Sequence, residues 1–395
     1  MTVRVGVEEE FHVVDVESRM SVPRANALLG QVPGEGFTTE LKQSVVESNS
    51  GVHASLEALH ADLTRSRRAL DEAASSQGLA VVAAGTVPLA RVTRGDTTAD
   101  ARYERMVDAY RLVADEQLIC GAQVHVDVPD RDTAVRAMCA IAPWLPTLLA
   151  LSASSPFWLG ADTGYASWRT MLWQRWPTAG PAGCFADAAD YDATVEELVR
   201  SGVISDAGMV YYDVRPSSHQ QTLELRISDA CPRAETVVLI AGLFRALVLD
   251  ACARPAGTRE ECACGGRQEW LRAAGWRAAR SGLEGDLVDP VTHLAAPASY
   301  VVRSMLCRLR PWLEELGDWE TVNDLAEAAL AEGSAAHRLR RVAQDDDIRA
   351  CVDMMIAETR GERAPGRRRS AHVAPRAGGS VGAPAPAPED TSLAA

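Results

Sequence analysis

Three short stretches of the chain carry acidic, amide and basic side chains at every second position. Glu8 and Glu10 alternate with Val7 and Phe11. Gln123, His125 and Asp127 alternate with Val124, Val126 and Val128. Thr222, Glu224, Arg226 and Ser228 alternate with Leu223, Leu225 and Ile227. Successive side chains of an extended chain point to opposite faces, so each stretch reads as a strand with one apolar and one polar face. In one sheet, the polar faces would converge on an acidic groove that also bears an arginine. Such a groove suits a hard cation, because magnesium takes carboxylate and amide oxygens, keeps part of its water and binds phosphate oxygens alongside. Zinc would draw more histidine or cysteine than this face supplies. An arginine two residues from a ligand carboxylate is placed to clamp a transferring phosphoryl group. A plainer reading stays open, since any antiparallel strand with one wet face alternates in the same way. Glu9 is the misfit: it falls on the apolar face, where it needs a buried partner or a bulge.

Composition narrows the chemistry. Lysine and arginine total 40, of which only Lys42 is lysine. A Walker-type phosphate loop needs Gly-Lys-Ser/Thr and a pyridoxal enzyme needs a Schiff-base lysine, so phosphate handling falls to arginine and metal. A formal net charge of −14 argues against nucleic acid as a partner. Nine cysteines at irregular spacing do not read as a disulfide framework. Cys262 and Cys264 form a pair with no second pair at zinc-site spacing. No His-Glu-x-x-His motif is found.

The elements that must position these residues follow from periodicity. Strands are expected over Val3–Val14, Ala122–Val128 and Gln221–Ser228, with a fourth over Leu79–Ala84. Ser55 is a suitable N-cap for a helix ending near Gly78, with Leu56, Leu59, Leu63 and Leu70 on one stripe. Residues 132–153 and 234–252 read as buried helices. The segment 267–360 reads as helices broken by Gly282, Pro290, Pro297, Pro311 and Gly333. The class is α+β: an antiparallel or mixed sheet with helices packed on one face. Residues 1–361 read as a single domain. Residues 362–395 hold five prolines, five arginines and four glycines and no aromatic residue, so they are expected to be a disordered tail. Arg367, Arg368 and Arg369 in it read as solvated. The N-terminus shows no apolar signal core, and the apolar run Val237–Leu249 is too short to span a bilayer, so a cytoplasmic protein without a membrane partner is expected.

Longer blocks carry a resemblance. Gly6-Val-Glu-Glu-Glu-Phe11, followed by His12-Val-Val-Asp15, resembles the opening signature of the type 2 glutamate–cysteine ligases. Glu40-Leu-Lys-Gln-Ser-Val-Val-Glu47 resembles the second acidic block of that family, and Cys120-Gly-Ala-Gln-Val-His125-Val its Gly-x-His-Val-His-Val segment. Tyr211-Tyr-Asp-Val-Arg-Pro216 and Thr222-Leu-Glu-Leu-Arg226-Ile-Ser-Asp229 resemble its Asp-x-Arg-Pro and Glu-x-Arg blocks. Ala166-Ser-Trp-Arg169 and Trp276-Arg-Ala-Ala-Arg280 match further segments, in the right order.

The resemblance implies the fold shared with glutamine synthetases and guanidino kinases, in which an antiparallel sheet forms an active-site funnel. It implies an ATP- and Mg2+-dependent carboxylate–amine ligase joining the γ-carboxylate of glutamate to an amine such as cysteine through an acyl phosphate. Glu8, Glu10, Glu47, Gln123 and Glu224 match magnesium-ligand positions. Arg226 matches the residue facing the γ-phosphate and, with Glu224, the catalytic pair. His125, Arg215 and Arg169 match substrate-side positions, a buried ion pair being the other reading of Arg169 and Arg215. The implied partners are amino acids and ATP, and a homodimer is the expected assembly. Gln123 stands where bacterial relatives often carry histidine, and its amide oxygen still suits magnesium. His219-Gln220-Gln221 departs from the more usual loop, and Gly275 with its neighbouring alanines replaces polar residues common before the Trp-Arg-Ala segment. The altered loop leaves the amine open. Two other functions remain at this stage: a nucleotide- or amino-acid-binding regulatory protein without catalysis, and a metal-dependent amide hydrolase.

Overall fold

The structure, a computed structural model, describes residues 3–254 and 267–362. Strand β1 (Val5–Asp15) follows its alternation: Val5, Val7, Phe11 and Val13 are buried, and Glu8 and Glu10 lie on the other face. The strands that follow are β2 (Phe37–Thr39), β3 (Val45–Asn49), β4 (Leu79–Val82), β5 (Ala122–Asp127), β6 (Phe157–Trp158), β7 (Ala161–Asp162), β8 (Val214–Pro216), β9 (Thr222–Leu225), β10 (Asp286–Val288) and β11 (Ala295–Pro297). One seven-stranded sheet runs in the order β2-β3-β1-β5-β9-β8, with β4 joined to the far end of β1, and its pairings are antiparallel. β6–β7 and β10–β11 are separate hairpins.

The first helices are α1 (Ala25–Leu29), α2 (Leu56–Ser75), α3 (Ala101–Tyr110), α4 (Leu112–Asp115), α5 (Arg131–Ile141), α6 (Leu145–Ser152) and α7 (Trp168–Trp173). After them come α8 (Ala188–Arg200), α9 (Ala234–Cys252), α10 (Gln268–Ser281), α11 (Ala298–Leu316), α12 (Trp319–Glu332), α13 (Ala335–Asp345) and α14 (Ile348–Thr359). Ser55 caps α2, its side chain accepting from the Ala58 N–H at 3.2 Å. Helices α2, α5 and α9 cover the apolar face. There Val5, Val7, Val124, Val126, Leu223 and Leu225 share a core with Leu59, Val135, Ile141, Leu243 and Phe244. At the β4 end the opposite face is covered too, because Val14, Ala80 and Val82 pack on Leu339, Val352 and Met355 of α13 and α14. The open part of the polar face is thus confined to the middle of the sheet.

Glu9 finds the buried partner its position demands. Arg67 of α2 reaches it with Nη2 at 2.5 Å and Nε at 3.2 Å, while Nη1 and Nη2 also donate to the carbonyls of Pro232 (2.6 Å) and Cys231 (2.8 Å). Both side chains are within 3% of full burial. This fork ties the spine of the sheet to α2 and to the turn leading into α9.

Some expected elements differ. The helix foreseen over 132–153 is two, because Pro143 and Pro146 interrupt the ladder and a tight 3-10 turn over 142–144 joins α5 to α6. Pro311 does not break its helix: α11 runs through it. The carbonyl four residues earlier belongs to the exposed Cys307, where water can take the missing hydrogen bond. The β9 ladder stops at Leu225, and the chain then bends so that the Arg226 N–H donates to the Asp213 carbonyl at 2.9 Å. Among the described residues one helical stretch, Arg131–Ser152, is long and apolar enough to cross a membrane, and 78% of its apolar window is buried inside the fold. The Cys262–Cys264 pair, the arginine run 367–369 and the tail beyond residue 362 lie outside the described residues.

Replacing Arg67 by alanine strands a buried carboxylate. We expect a loss of about 3–5 kcal/mol in urea unfolding; a loss below about 1 kcal/mol would show that water reaches Glu9.

Candidate active site

The register of the sheet decides which polar groups meet. Glu10 lies opposite Glu47, Glu8 opposite Gln123, and Glu224 opposite both His125 and Arg215. Directly opposed residues sit about 5 Å apart, so strands that are distant in sequence place their carboxylates in one group. Two trios result. Ligand atoms of Glu8, His125 and Glu224 lie within 4.8 Å of one another, and so do those of Glu10, Glu40 and Glu47. Glu8 of the first trio and all of the second line a cleft of about 230 Å³, walled on the other side by Arg102, Tyr103 and Met106 of α3 together with Trp173 and Tyr211.

Each group is held from behind. Glu10 accepts from the Gly121 N–H at 2.6 Å and from Gln123 Nε2 at 2.9 Å. Glu47 accepts from Asn49 Nδ2 at 3.0 Å. His125 lies between Thr222 Oγ1 at 3.1 Å and Glu8 Oε1 at 3.2 Å. Glu224 is gripped by Arg215 through Nε at 2.8 Å and Nη2 at 3.2 Å, and Arg226 pairs with the same carboxylate. Arg215 is anchored in turn on the carbonyls of Gly208 and Val210. Arg169 stands on the first turn of α7. Ser167 caps that helix and donates to the buried Asp229 at 2.7 Å. The Arg169 guanidinium points at the carbonyls of Ile227 and Arg226.

The electrostatics are uneven. Burial, reinforced by Glu8 and Glu10, pushes the Glu47 carboxyl up to about 7. Burial with Glu10 and Glu47 lifts Glu40 well above the ordinary carboxylate range. Glu224 goes the other way. Burial alone would raise it, but Arg226, Arg215 and His125 hold it down at about 2. The polar face therefore has a fixed anion locked to two arginines, beside acids that repel one another. Gln123 Oε1 and Arg226 Nε are buried without hydrogen-bond partners. Crowded carboxylates with a spare amide oxygen match the donor set of a hard divalent cation, which would relieve the repulsion that raises Glu40 and Glu47.

The structure brings Glu8, Glu10, Glu47, Gln123, His125, Arg215, Glu224 and Arg226 onto one face, with Arg169 at its border. Sequence reasoning left out Glu40, although it opens the quoted acidic block. It lies outside any strand, so alternation gave no signal for it. Arg102, Tyr103, Trp173 and Tyr211 were left out as well, because helices and loops bring them to the cleft. The half-buried Asp213 was also missed; desolvation pushes its carboxyl up to about 7 against the opposing pull of Arg169.

The sequence profile of glutamate–cysteine ligase family 2 matches residues 4–356. The chain belongs to this family. A Frankia casuarinae protein, whose name gives its glutamate–cysteine ligase 2-2 assignment as provisional, is 55% identical over 364 residues, covering 91% of this chain. This chain spans only 42% of that relative's length. A similarly named Mycolicibacterium smegmatis protein is 51% identical, with 90% and 89% of the two chains covered. Among solved structures, a glutamate–cysteine ligase of Francisella tularensis in complex with AMP superposes with a TM-score of 0.68 at 10% identity, covering 91% of this chain and 89% of that one. The bifunctional glutathione synthetase of Pasteurella multocida gives 0.68 at 16%, covering 90% and 52%. At these identities the likeness shows the fold, and the antiparallel-sheet funnel of glutamate–cysteine ligase family 2 is the architecture found.

Because the Glu47 carboxyl is raised from 4.5 to about 7 in the fold, the folded state binds more protons than the unfolded one across that window. Stability contributed by this group is present below it and lost as pH rises through it. Magnesium is therefore expected to raise the melting temperature more at pH 8 than at pH 6. Equal shifts at both values, or an undiminished shift in Glu47→Gln, would contradict a cation held by this trio.

Proposed function

We propose that this family member is an ATP- and magnesium-dependent carboxylate–amine ligase. It would activate the γ-carboxylate of glutamate as an acyl phosphate and pass it to an amine, cysteine being the type substrate. The observation that carries this reading is the meeting of the Glu8–His125–Glu224 and Glu10–Glu40–Glu47 groups with Arg215 and Arg226 on one sheet face.

Glu8, Glu10, Glu47, Gln123 and Glu224, joined by Glu40, would hold the magnesium. The metal supplies positive charge against the phosphate oxygens. The rest is the work of the chain. A substrate carboxylate oxygen attacks the γ-phosphorus of ATP, and ADP leaves with the electron pair of the broken P–O bond. Arg226, already oriented by Glu224, donates to the phosphoryl oxygens as their charge is redistributed. Arg215 keeps Glu224 ionised and in place, so it acts as a positioning residue. His125 and Arg169 border the bound substrates. The amine nitrogen then attacks the acyl carbon, inorganic phosphate departs and the nitrogen loses a proton. Trp173, Tyr211 and Tyr103 wall the cleft and would keep water from the acyl phosphate.

Hydroxylamine offered with ATP, magnesium and glutamate should trap the acyl phosphate as a hydroxamate. Glu224→Gln and Arg226→Ala should each lower hydroxamate and ADP formation by about 10²-fold or more, with unchanged far-ultraviolet circular dichroism. Retained turnover in both variants would overturn the assignment of these residues.

A further inference from the structure

The sole lysine of the chain is buried. Lys42 is 1% exposed, it lines the cleft, and its Nζ has no hydrogen-bond partner. Its backbone is fixed by the strap that passes over it. Lys42 bridges Thr97, the Gln43 N–H donates to the Asp96 carbonyl at 2.8 Å, and the Thr98 N–H donates to the Leu41 carbonyl at 3.0 Å. The charges around it are already engaged. Asp115 pairs with Arg94 at 3.2 Å and Asp96 accepts from Thr93. A buried ammonium without a hydrogen-bonded counter-charge is among the costliest groups a fold can keep. In a chain whose other basic side chains are arginines, its retention at the wall of the cleft needs a partner that arrives with the ligand.

We propose that Lys42 is an anion-binding residue of this cleft, its ammonium taking a carboxylate or phosphate oxygen group of a bound substrate. It is a specificity element distinct from Arg226, and it rests on the ligase reading only for the identity of the ligands offered. Lysine suits the task as a compact point charge on a flexible stem, which swings onto a single oxygen where a planar guanidinium would demand two. In the ligand-free chain the same charge is a liability.

Lys42→Met separates this role from a structural one. Removing an unpaired buried charge should raise the melting temperature of the ligand-free protein, by about 2 °C or more. The same change should weaken one ligand by at least about tenfold in calorimetry. A loss for glutamate alone assigns the ammonium to a substrate carboxylate. A loss for a non-hydrolysable ATP analogue with magnesium assigns it to phosphate. Lys42→Arg, which keeps the charge but replaces the point donor by a planar fork, should lose less affinity than Lys42→Met. A lowered melting temperature or failure to fold in Lys42→Met would overturn the proposal, because it would show a lysine partnered by Asp96 and Asp115. Unchanged affinity for both ligands, or a wild-type protein that binds neither, would overturn it as well. These readouts are binding and melting, so a protein that binds a ligand but releases no ADP would sink the ligase reading and leave Lys42 standing.

Discussion

Repulsion among carboxylates gathered on one sheet face is the constraint around which the chain is built. Glu8, Glu10, Glu47 and Glu224 are drawn together by register, Glu40 joins them from outside the ladder, and the ionised forms of such groups disfavour one another when partly buried. The chain meets the repulsion in two ways. On the β8–β9 side it locks one carboxylate, Glu224, between Arg215 and Arg226, which drives its carboxyl down to about 2. On the β3 side it leaves Glu40 and Glu47 raised by burial and by their acidic neighbours. The first arrangement gives a fixed dipole, and the second gives a place where a cation gains most by binding.

Holding such a face still requires a rigid support. The opposite face is packed on α2, α5 and α9, and one polar residue is threaded through that packing. Glu9 lies between Glu8 and Glu10, so any twist of β1 that relieved the site would move Glu9 away from Arg67. The fork of Arg67 on Glu9, Pro232 and Cys231 thus couples the pose of the polar face to the turn entering α9. A buried pair of this kind adds little net stability over an apolar pair, and its worth lies in fixing the register.

Much of this was legible in the sequence. Strict alternation in β1, β5 and β9 gave the strands and the polar face, and the misfit of Glu9 foretold a buried partner, though not which residue. The Ser55 cap and the leucine stripe of α2 were local signals and came through unchanged. What stayed hidden depended on tertiary placement. Glu40 sits outside a ladder, and Arg102, Tyr103 and Trp173 reach the cleft from helices whose own periodicity reports only their buried stripe. Arg215 offered either a substrate contact or an ion pair until β8 was found beside β9. Pro311 was misread because local propensity cannot show that the carbonyl it orphans belongs to an exposed residue.

The central claim is that this face moves a phosphoryl group from ATP to a carboxylate for capture by an amine. Its most direct measurement is ADP release by the purified chain with ATP and magnesium, across paired amino acids that include glutamate with cysteine. The account predicts ADP only when a particular carboxylate and a particular amine are both present. ADP release that needs no carboxylate, or none in any combination despite measurable nucleotide binding, would contradict it.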